Sequence, residues 1–362
     1  MFNKFSSSKL YFTIIALSAA FLSGCITAKD PKKTAILLKT ENATQAELIG
    51  EVNRFARVDS LRAKMYFKLE DNSYAQYGSK DVYKRADGEV VVQRPANILL
   101  KVQIPVIKSD VAQMTSDGEK FRVAVLLDNS GGKYKKFVMG SNNADYSTLQ
   151  KSLESTNGNG SKEVKENVSA FANMRPQHFT DAMLVRPTDA AFMYTQSTIF
   201  QDEEDVTTDK KSPIRKVNRG YYLLDEYAKR AEGELVIARR FWFDRVGGIR
   251  LARQQIFDAK GEIESDIVYG AEGNLTDTGQ YNRLPLQVTV TRPQEKYSMK
   301  LTYQVPEDVK IGNKYPPTAF VLENTWGLEE VDLDKKLHDM TAQKPQMPAS
   351  AATNSNSATR FQ

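Results

Sequence analysis

The sequence predicts a mainly β chain of the α+β class, built on about ten or more antiparallel strands with a few helices. Three observations carry this. First, Leu61, Ala63, Met65, Phe67 and Leu69 alternate with Arg62, Lys64, Tyr66 and Lys68. Tyr297, Met299, Leu301, Tyr303 and Val305 alternate in the same way with Ser298, Lys300, Thr302 and Gln304. A period of two places one face in a core and the other in water. Second, short runs rich in β-branched and aromatic residues recur, separated by turn chemistry. Third, few stretches have the helical period.

The densest strand signal is Glu89 to Leu127. It holds Glu89-Val90-Val91-Val92-Gln93-Arg94-Pro95, then Asn97-Ile98-Leu99-Leu100-Lys101-Val102-Gln103-Ile104-Pro105, then Gln113 to Phe121 through Asp117-Gly118. Proline cannot donate to a ladder, so Pro95 and Pro105 belong at strand ends or edges. Asp117-Gly118 supplies the positive φ of a tight hairpin. The meander has one apolar face: Ile98, Leu100, Val102 and Ile104, then Phe121, Val123, Val125 and Leu127.

Strand, Arg-Pro, apolar strand, Pro, and a short strand ending in Asp-Gly resembles the periplasmic lipoprotein carriers of the Lol type, LolA and LolB. The resemblance implies an open antiparallel half-barrel, with an N-terminal helix and short helices across its mouth, that holds acyl chains. This chain would be a distant, enlarged member. It departs from the compact carriers by insertions at 140–168 and 201–214, by a long tail, and by aliphatics where aromatics follow Arg-Pro.

At the N-terminus, Lys4 and Lys9 precede an apolar run from Leu10 to Leu22 that ends in Leu22-Ser23-Gly24-Cys25. The run is short for a membrane span and suits a signal peptide, 1–24. The last four residues resemble a bacterial lipobox. Cys25 is the single cysteine of 362 residues, so no internal disulfide forms and the thiol is expected to carry lipid. Ile26, rather than Asp, follows it; by resemblance to the sorting rule of Gram-negative bacteria this favours the outer membrane. Residues 25–43 then read as a tether, in which Ile36, Leu37 and Leu38 offer a first strand or helix contact.

Thr44-Gln45-Ala46-Glu47 is a capping box, and Leu48, Val52 and Phe55 follow at helical spacing, so a helix is expected from Thr44 to Arg57. A strand near Tyr74–Tyr83 and another over Lys133–Met139, turned by Gly131-Gly132, complete the first half. Residues 140–168 read as a short helix at Ser147–Glu154 and a surface loop. Asn173–Leu184 reads as a short helix with Pro176 near its start.

Further strands are expected at Ala191–Phe200, Arg215–Leu224, Leu235–Asp244, Ile249–Phe257, Ile263–Tyr269, Pro285–Thr291 and Tyr297–Val305. Gly247-Gly248 and Lys260-Gly261 supply tight turns. Arg292-Pro293 repeats the device of Arg94-Pro95. The body of the fold is set at 44–330. A segment with Trp326 and Leu328 docks on it, and 331–362 is read as a polar, disordered tail.

Function classes narrow by composition. With 50 Lys+Arg against 45 Asp+Glu the chain is only slightly basic, and it shows no Lys/Arg stripe with interleaved aromatics, so no nucleic acid is expected. The two histidines, His178 and His338, are far apart, and no HExxH, GxSxG, GxGxxG or paired-Cys motif is present. Asp202-Glu203-Glu204-Asp205 lacks the spacing of a calcium loop and reads as solvated. A non-enzyme without cofactor, metal or catalytic residues is expected.

Through the resemblance, the hydrophobic strand faces become an acyl-chain lining: Met65, Phe67, Ile98, Leu100, Val123 and Val125, with Phe241 and Phe243 added. Phe179 and Met183 become a lid, methionine adapting to irregular ligands. The expected partners are acyl chains of lipoproteins or phospholipids, the bilayer through Cys25, and an envelope protein if the fold serves as a sensor or scaffold. Alternation alone fits a filled core equally well.

Overall fold

The computed structural model describes residues 35–71, 81–82, 85–104, 109–127, 135–144, 146, 149, 177–206, 208–276 and 278–342. Cys25 and its leader, most of the Tyr74–Tyr83 strand, the Gly131-Gly132 turn, all but Leu149 of the Ser147–Glu154 helix, and the tail from 343 lie outside them. Contacts group the described residues into two units: those up to Thr40 with Phe200–Gly220, and Glu41–Ile199 with the chain from Tyr221.

In the smaller unit, β1 (Ile36–Leu37) runs parallel to the start of β10, with Ile36 opposite Val217. The 25–43 tether therefore gains a strand, the option that Ile36 and Leu37 left open. Three of the four acidic residues at 202–205 close strand β9 (Met193–Glu204), where Glu204 meets Arg215 at 3.0 Å and Glu203 meets Arg219 at 3.5 Å.

The larger unit is built on a sheet that is not closed into a barrel. Its first half holds β2 (Ser60–Asp71), β3 (Asp81–Val82), β4 (Ala86–Gln93), β5 (Asn97–Gln103), β6 (Asp110–Asp117), β7 (Lys120–Val125) and β8 (Lys136–Ser141). Its second half holds the part of β10 (Lys216–Lys229) from Tyr221 onward, β11 (Leu235–Asp244), β12 (Arg250–Phe257), β13 (Ile263–Tyr269), β16 (Gln287–Arg292) and β17 (Tyr297–Tyr303). A small separate ladder, β14 (Glu272–Leu275) with β15 (Tyr281–Pro285), links β13 to β16. The closing strands are β18 (Lys310–Ile311) and β19 (Glu329–Asp332).

The antiparallel order is β10-β11-β12-β13-β16-β17-β2-β4-β5-β6-β7-β8. The two halves thus join at β17 and β2, where Tyr297 lies opposite Asp71 and Tyr303 opposite Met65. β19 adds in parallel to β8. Among the described residues no ladder returns from β19 to β10.

Alternation puts the apolar residues on one face. Leu61, Ala63, Met65 and Phe67 are buried, in register with Val92, Val90, Gly88 and Ala86. Gly88 is there because the Phe67 ring lies over it: a Cβ at Gly88 would stand 2.4 Å from Phe67 Cε2 and 2.3 Å from the Lys101 carbonyl. The carbonyl belongs to a ladder and has nowhere to go. Gly88→Ala is expected to destabilise by about 1–3 kcal/mol through overpacking, read as a lower urea midpoint with unchanged m. An unshifted midpoint would show that β4 yields.

Two helices cover this face. Helix α1 (Gln45–Phe55) has the expected capping box, Thr44 with Glu47, and buries Leu48, Val52 and Phe55. Helix α2 (Gln177–Met183) buries Phe179 and Ala182 and contacts β4, β5 and β16. Each of these larger side chains contributes about 1.5–3 kcal/mol by leaving water. At seven residues α2 is too short to persist without that packing.

The stretch after β18 docks on the sheet, as the sequence led one to expect. Residues 313–332 run past β4, β5 and β6, with the Leu322 amide donating to Thr115 Oγ1 at 3.0 Å and Phe320 buried. Order then continues through β19 into helix α3 (Leu333–Ala342), so no disordered tail begins at 331. Leu333 is fully buried, and Asp334 takes bonds from Ser141 and Tyr146. A polar helix with few apolar residues gives little periodic signal; its burial comes from docking on β8.

Candidate functional site

Met65, Phe67, Ile98, Leu100, Val123, Val125, Phe241 and Phe243 come from β2, β5, β7 and β11, yet the sheet brings all eight into one buried apolar cluster. Phe179 of α2 belongs to it, and Met183 packs against it. The face is covered by the chain itself. Away from these residues lies a cavity of about 20 Å³, room for roughly one water. Its walls are Phe55 at the end of α1 and Val58 just beyond it, Ala182, Met183 and Val185 around α2, and Leu275, Leu284 and Pro285 of β14–β15. Leu61, Tyr269, Val288 and Tyr303 form its floor. Of the residues proposed from sequence, Met183 reaches this cavity and the eight lining residues do not. Burial pushes both tyrosine hydroxyls far above their ordinary pKa, so they stay neutral.

What holds the cover down is polar. Arg94, in the turn between β4 and β5, donates to the carbonyls of Val185 at 2.8 Å, Leu184 at 3.4 Å and Ala56 at 3.1 Å. One guanidinium thus joins the C-terminal ends of both helices to the sheet. Desolvation lowers its pKa, opposed by Asp59 at 3.5 Å. Arg239 on β11 donates to the next two carbonyls, Arg186 at 2.9 Å and Pro187 at 3.0 Å. Four consecutive carbonyls after α2 are therefore held by two arginines from opposite halves of the sheet.

The two arginines differ in compensation. Arg239 is buried and forked onto Glu226, Nε to Oε1 at 2.7 Å and Nη2 to Oε2 at 2.5 Å. The Tyr194 hydroxyl also donates to Glu226, at 2.7 Å; burial and that bond push Tyr194 up to about 12. Arg94 instead relies on neutral carbonyls and the distant Asp59. A third tie joins α1 to the segment after α2: Asn53 Nδ2 donates to Thr188 Oγ1 at 2.9 Å, and the Thr188 amide to Asn53 Oδ1 at 3.0 Å.

At the other end of α2, His178 Nδ1 lies 3.3 Å from Tyr297 Oη. Arg292 is buried and donates to Ser265 and Glu295, both at 2.7 Å. His338 is exposed on α3. Among the described residues no group of three or more His, Cys, Asp or Glu gathers as a metal site, and no helix is long and apolar enough to cross a membrane.

Asp181 of α2 faces Arg186 at 3.6 Å, with a third of its side chain accessible. Burial of the carboxyl raises its pKa; Glu264 adds, while Arg186, Arg239 and Arg292 oppose. A folded pKa above the unfolded one contributes stability below the unfolded value and loses it as pH rises through the folded value. Asp181→Asn is therefore expected to gain stability relative to the parent as pH rises above about 4, the ordinary carboxylate value, in paired urea melts. A pH-independent difference would contradict this.

Sequence reasoning noted Arg94 only as the partner of Pro95 and did not mark Arg239. A signal existed for the second: Ala238-Arg239-Arg240-Phe241-Trp242-Phe243 puts adjacent charges inside an otherwise apolar strand. Whichever of the two arginines faces the core needs a buried partner.

Fold and site together define an open antiparallel sheet whose apolar face is shut by two latched helices. No family model matches the chain, and no curated protein does. Solved structures similar to it include a LolA superfamily protein from Nitrosomonas europaea, at 10% identity and a TM-score of 0.39, over 77% of this chain and 99% of that one. Another is a DUF1329 family protein from Desulfovibrio piger, at 8% and 0.38, over 76% and 95%. A putative outer membrane lipoprotein-sorting protein domain from Vibrio parahaemolyticus follows at 12% and 0.35, over 75% and 94%. Likeness of this degree transfers no function by itself.

Proposed function

We propose that this chain is a lipid-anchored, non-catalytic envelope protein that takes up acyl chains beneath α1 and α2, in lipoprotein or lipid transfer at the outer membrane. The observation that carries the reading is the cover. An apolar face broad enough to need two helices is closed by separate helices whose C-terminal ends are held by Arg94. Such a cover can leave and return without unfolding the sheet.

A cavity of about 20 Å³ admits no acyl chain as it stands, so uptake requires the helices to move. Each methylene buried returns about 0.8 kcal/mol, so a chain of ten methylenes offers on the order of 8 kcal/mol against the lost helix packing. Met65, Phe67, Ile98, Leu100, Val123 and Val125, with Phe241 and Phe243, then become the lining of the opened state, and Phe179 and Met183 move with the lid. Acylation of Cys25 places the body at the membrane, facing the periplasm.

The test is native mass spectrometry and lipid extraction of the chain lacking Cys25, purified from cells without detergent. Co-purifying acyl lipid in stoichiometric amount supports the reading. Lipid-free protein that also fails to bind cis-parinaric acid ends it. In that event the tight packing of the face favours a second reading, an anchored scaffold or sensor for another envelope protein. Acylation is tested separately: labelled palmitate should enter the parent and not Cys25→Ala.

A further inference from the structure

None of the residues that wall the cavity at the ends of α1 and α2 is charged. The side-chain hydrogen-bond donors among them are two, the hydroxyls of Tyr269 and Tyr303. Tyr269 reaches Gln254 Oε1 at 3.5 Å. Tyr303 is only 7% exposed, and burial alone raises its pKa. Its hydroxyl has no hydrogen-bond partner among the described residues. A buried donor left unmade destabilises the fold that holds it, and such groups call for an explanation.

Its place in the sheet supplies one. Tyr303 ends β17 opposite Met65 of β2, and Leu301 stands opposite Phe67. Residues directly opposite in an antiparallel pair share a side of the sheet. The phenol therefore belongs to the same oily face as Met65 and Phe67, two of the residues proposed to line the acyl site. From Phe67 through Met65 and Ala63, the buried side of β2 continues to Leu61, which walls the cavity. At strand rise this is a track of roughly 20 Å. Apolar along its length, it reaches an unused donor near one end. Ala182, Met183 and Val185, which shut that end, belong to the cover.

We infer that Tyr303 is the polar end of the acyl site, its hydroxyl donating to the carbonyl oxygen of an acyl ester or amide once α1 and α2 have moved. The inference rests on the acyl-binding reading above and adds the substrate class. An ionised carboxylate is the wrong guest, because one neutral donor among apolar walls does not repay its desolvation. An ester or amide carbonyl loses far less on leaving water and supplies the missing acceptor. The alkyl chain then lies along Met65 and Phe67. Both a lipid-modified cysteine and a glycerophospholipid carry the required group.

The experiment uses the chain from Ile26 onward, which keeps every described residue. Two fluorescent probes are compared at pH 8: cis-parinaric acid, ionised there, and its methyl ester. The parent is expected to bind the ester at least about tenfold more tightly than the acid. Tyr303→Phe removes the hydroxyl and nothing else. It is expected to weaken the ester by about three- to tenfold, the range of one hydrogen bond to a neutral carbonyl, and to leave the acid within about twofold. Its urea midpoint should hold or rise, since no bond within the protein is lost. A lowered midpoint would show a structural hydroxyl and overturn the inference. An unchanged ester affinity, or an equal loss for both probes, overturns it too. Should Tyr303→Phe not fold, the parent decides: equal affinity for ester and acid overturns the class. Competition reads the source. Displacement of the ester by a dipalmitoylated cysteinyl peptide assigns lipoproteins, displacement by diheptanoyl phosphatidylcholine assigns phospholipids, and displacement by neither overturns the class. Failure of the parent to bind either probe sinks the acyl reading itself.

Discussion

Glu226→Gln is expected to lower stability by about 3–5 kcal/mol, the cost of stranding a buried guanidinium. Glu226 and Arg239 are both almost fully buried, 2% and 3% exposed, so neither charge can be relieved by water. Glutamine keeps the shape of the side chain and one acceptor but removes the charge. In a domain of this size the change corresponds to a fall in Tm of roughly 6–15 °C. The paired substitution Arg239→Met with Glu226→Leu should recover most of that loss, because apolar residues of similar volume need no counter-ion. It should not recover all of it, since the Arg186 and Pro187 carbonyls lose their donor. If single and paired substitutions cost the same, the pair is not the buried element described.

Arg94→Leu is the second large effect, expected at about 2–4 kcal/mol from the loss of three charge-assisted bonds to carbonyls. The loss is local in kind. Hydrogen exchange should quicken over α2 and residues 184–185, with β2 to β7 nearly unchanged, because Arg94 holds helix ends and not the ladders. Arg94→Lys should fall between, since an ammonium cannot fork across carbonyls of both helices. Under the acyl reading, cis-parinaric acid binding rises in Arg94→Leu as the cover loosens. Uniform exchange across the whole unit would mean that Arg94 supports the fold globally and is no latch.

The two arginines hold the strap after α2 by different means. Arg239 carries its own counter-ion and anchors Arg186 and Pro187 whatever α2 does. Arg94 has neutral carbonyls as hydrogen-bond partners, and its one carboxylate, Asp59 at 3.5 Å, is largely exposed. Leu184 and Val185, next to the helix, are thus the half of the strap that can release.

The local rules were legible from residues alone. Asp117-Gly118, Gly247-Gly248 and Lys260-Gly261 turn the chain where expected, with positive φ at Gly118, Gly247, Gly248 and Gly261. The Leu235–Asp244 and Ile263–Tyr269 strands end where their patterns end. The β14–β15 ladder was missed because Glu272–Leu275 and Tyr281–Pro285 are short, polar and interrupted by positive-φ residues that are not glycine. Strand β19 was missed because its pairing with β8 is parallel and joins residues about 190 apart, as Lys136 and Glu329 show, where no hairpin signal exists.

The sequence by itself determined a β protein with one oily strand face and a capped helix ahead of it. These follow from periodicity, proline and glycine, and near-neighbour chemistry, which act over a few residues. Only the tertiary structure decided that the oily face is shut, that Arg94 and Arg239 hold the strap after α2, and that a small cavity lies beside β14–β15. Alternation states which side of a strand avoids water; it is silent on whether protein or ligand covers that side. That choice is made by side chains meeting across 90 to 230 residues of chain, as Arg94 meets Leu184 and Arg54 meets Asn282.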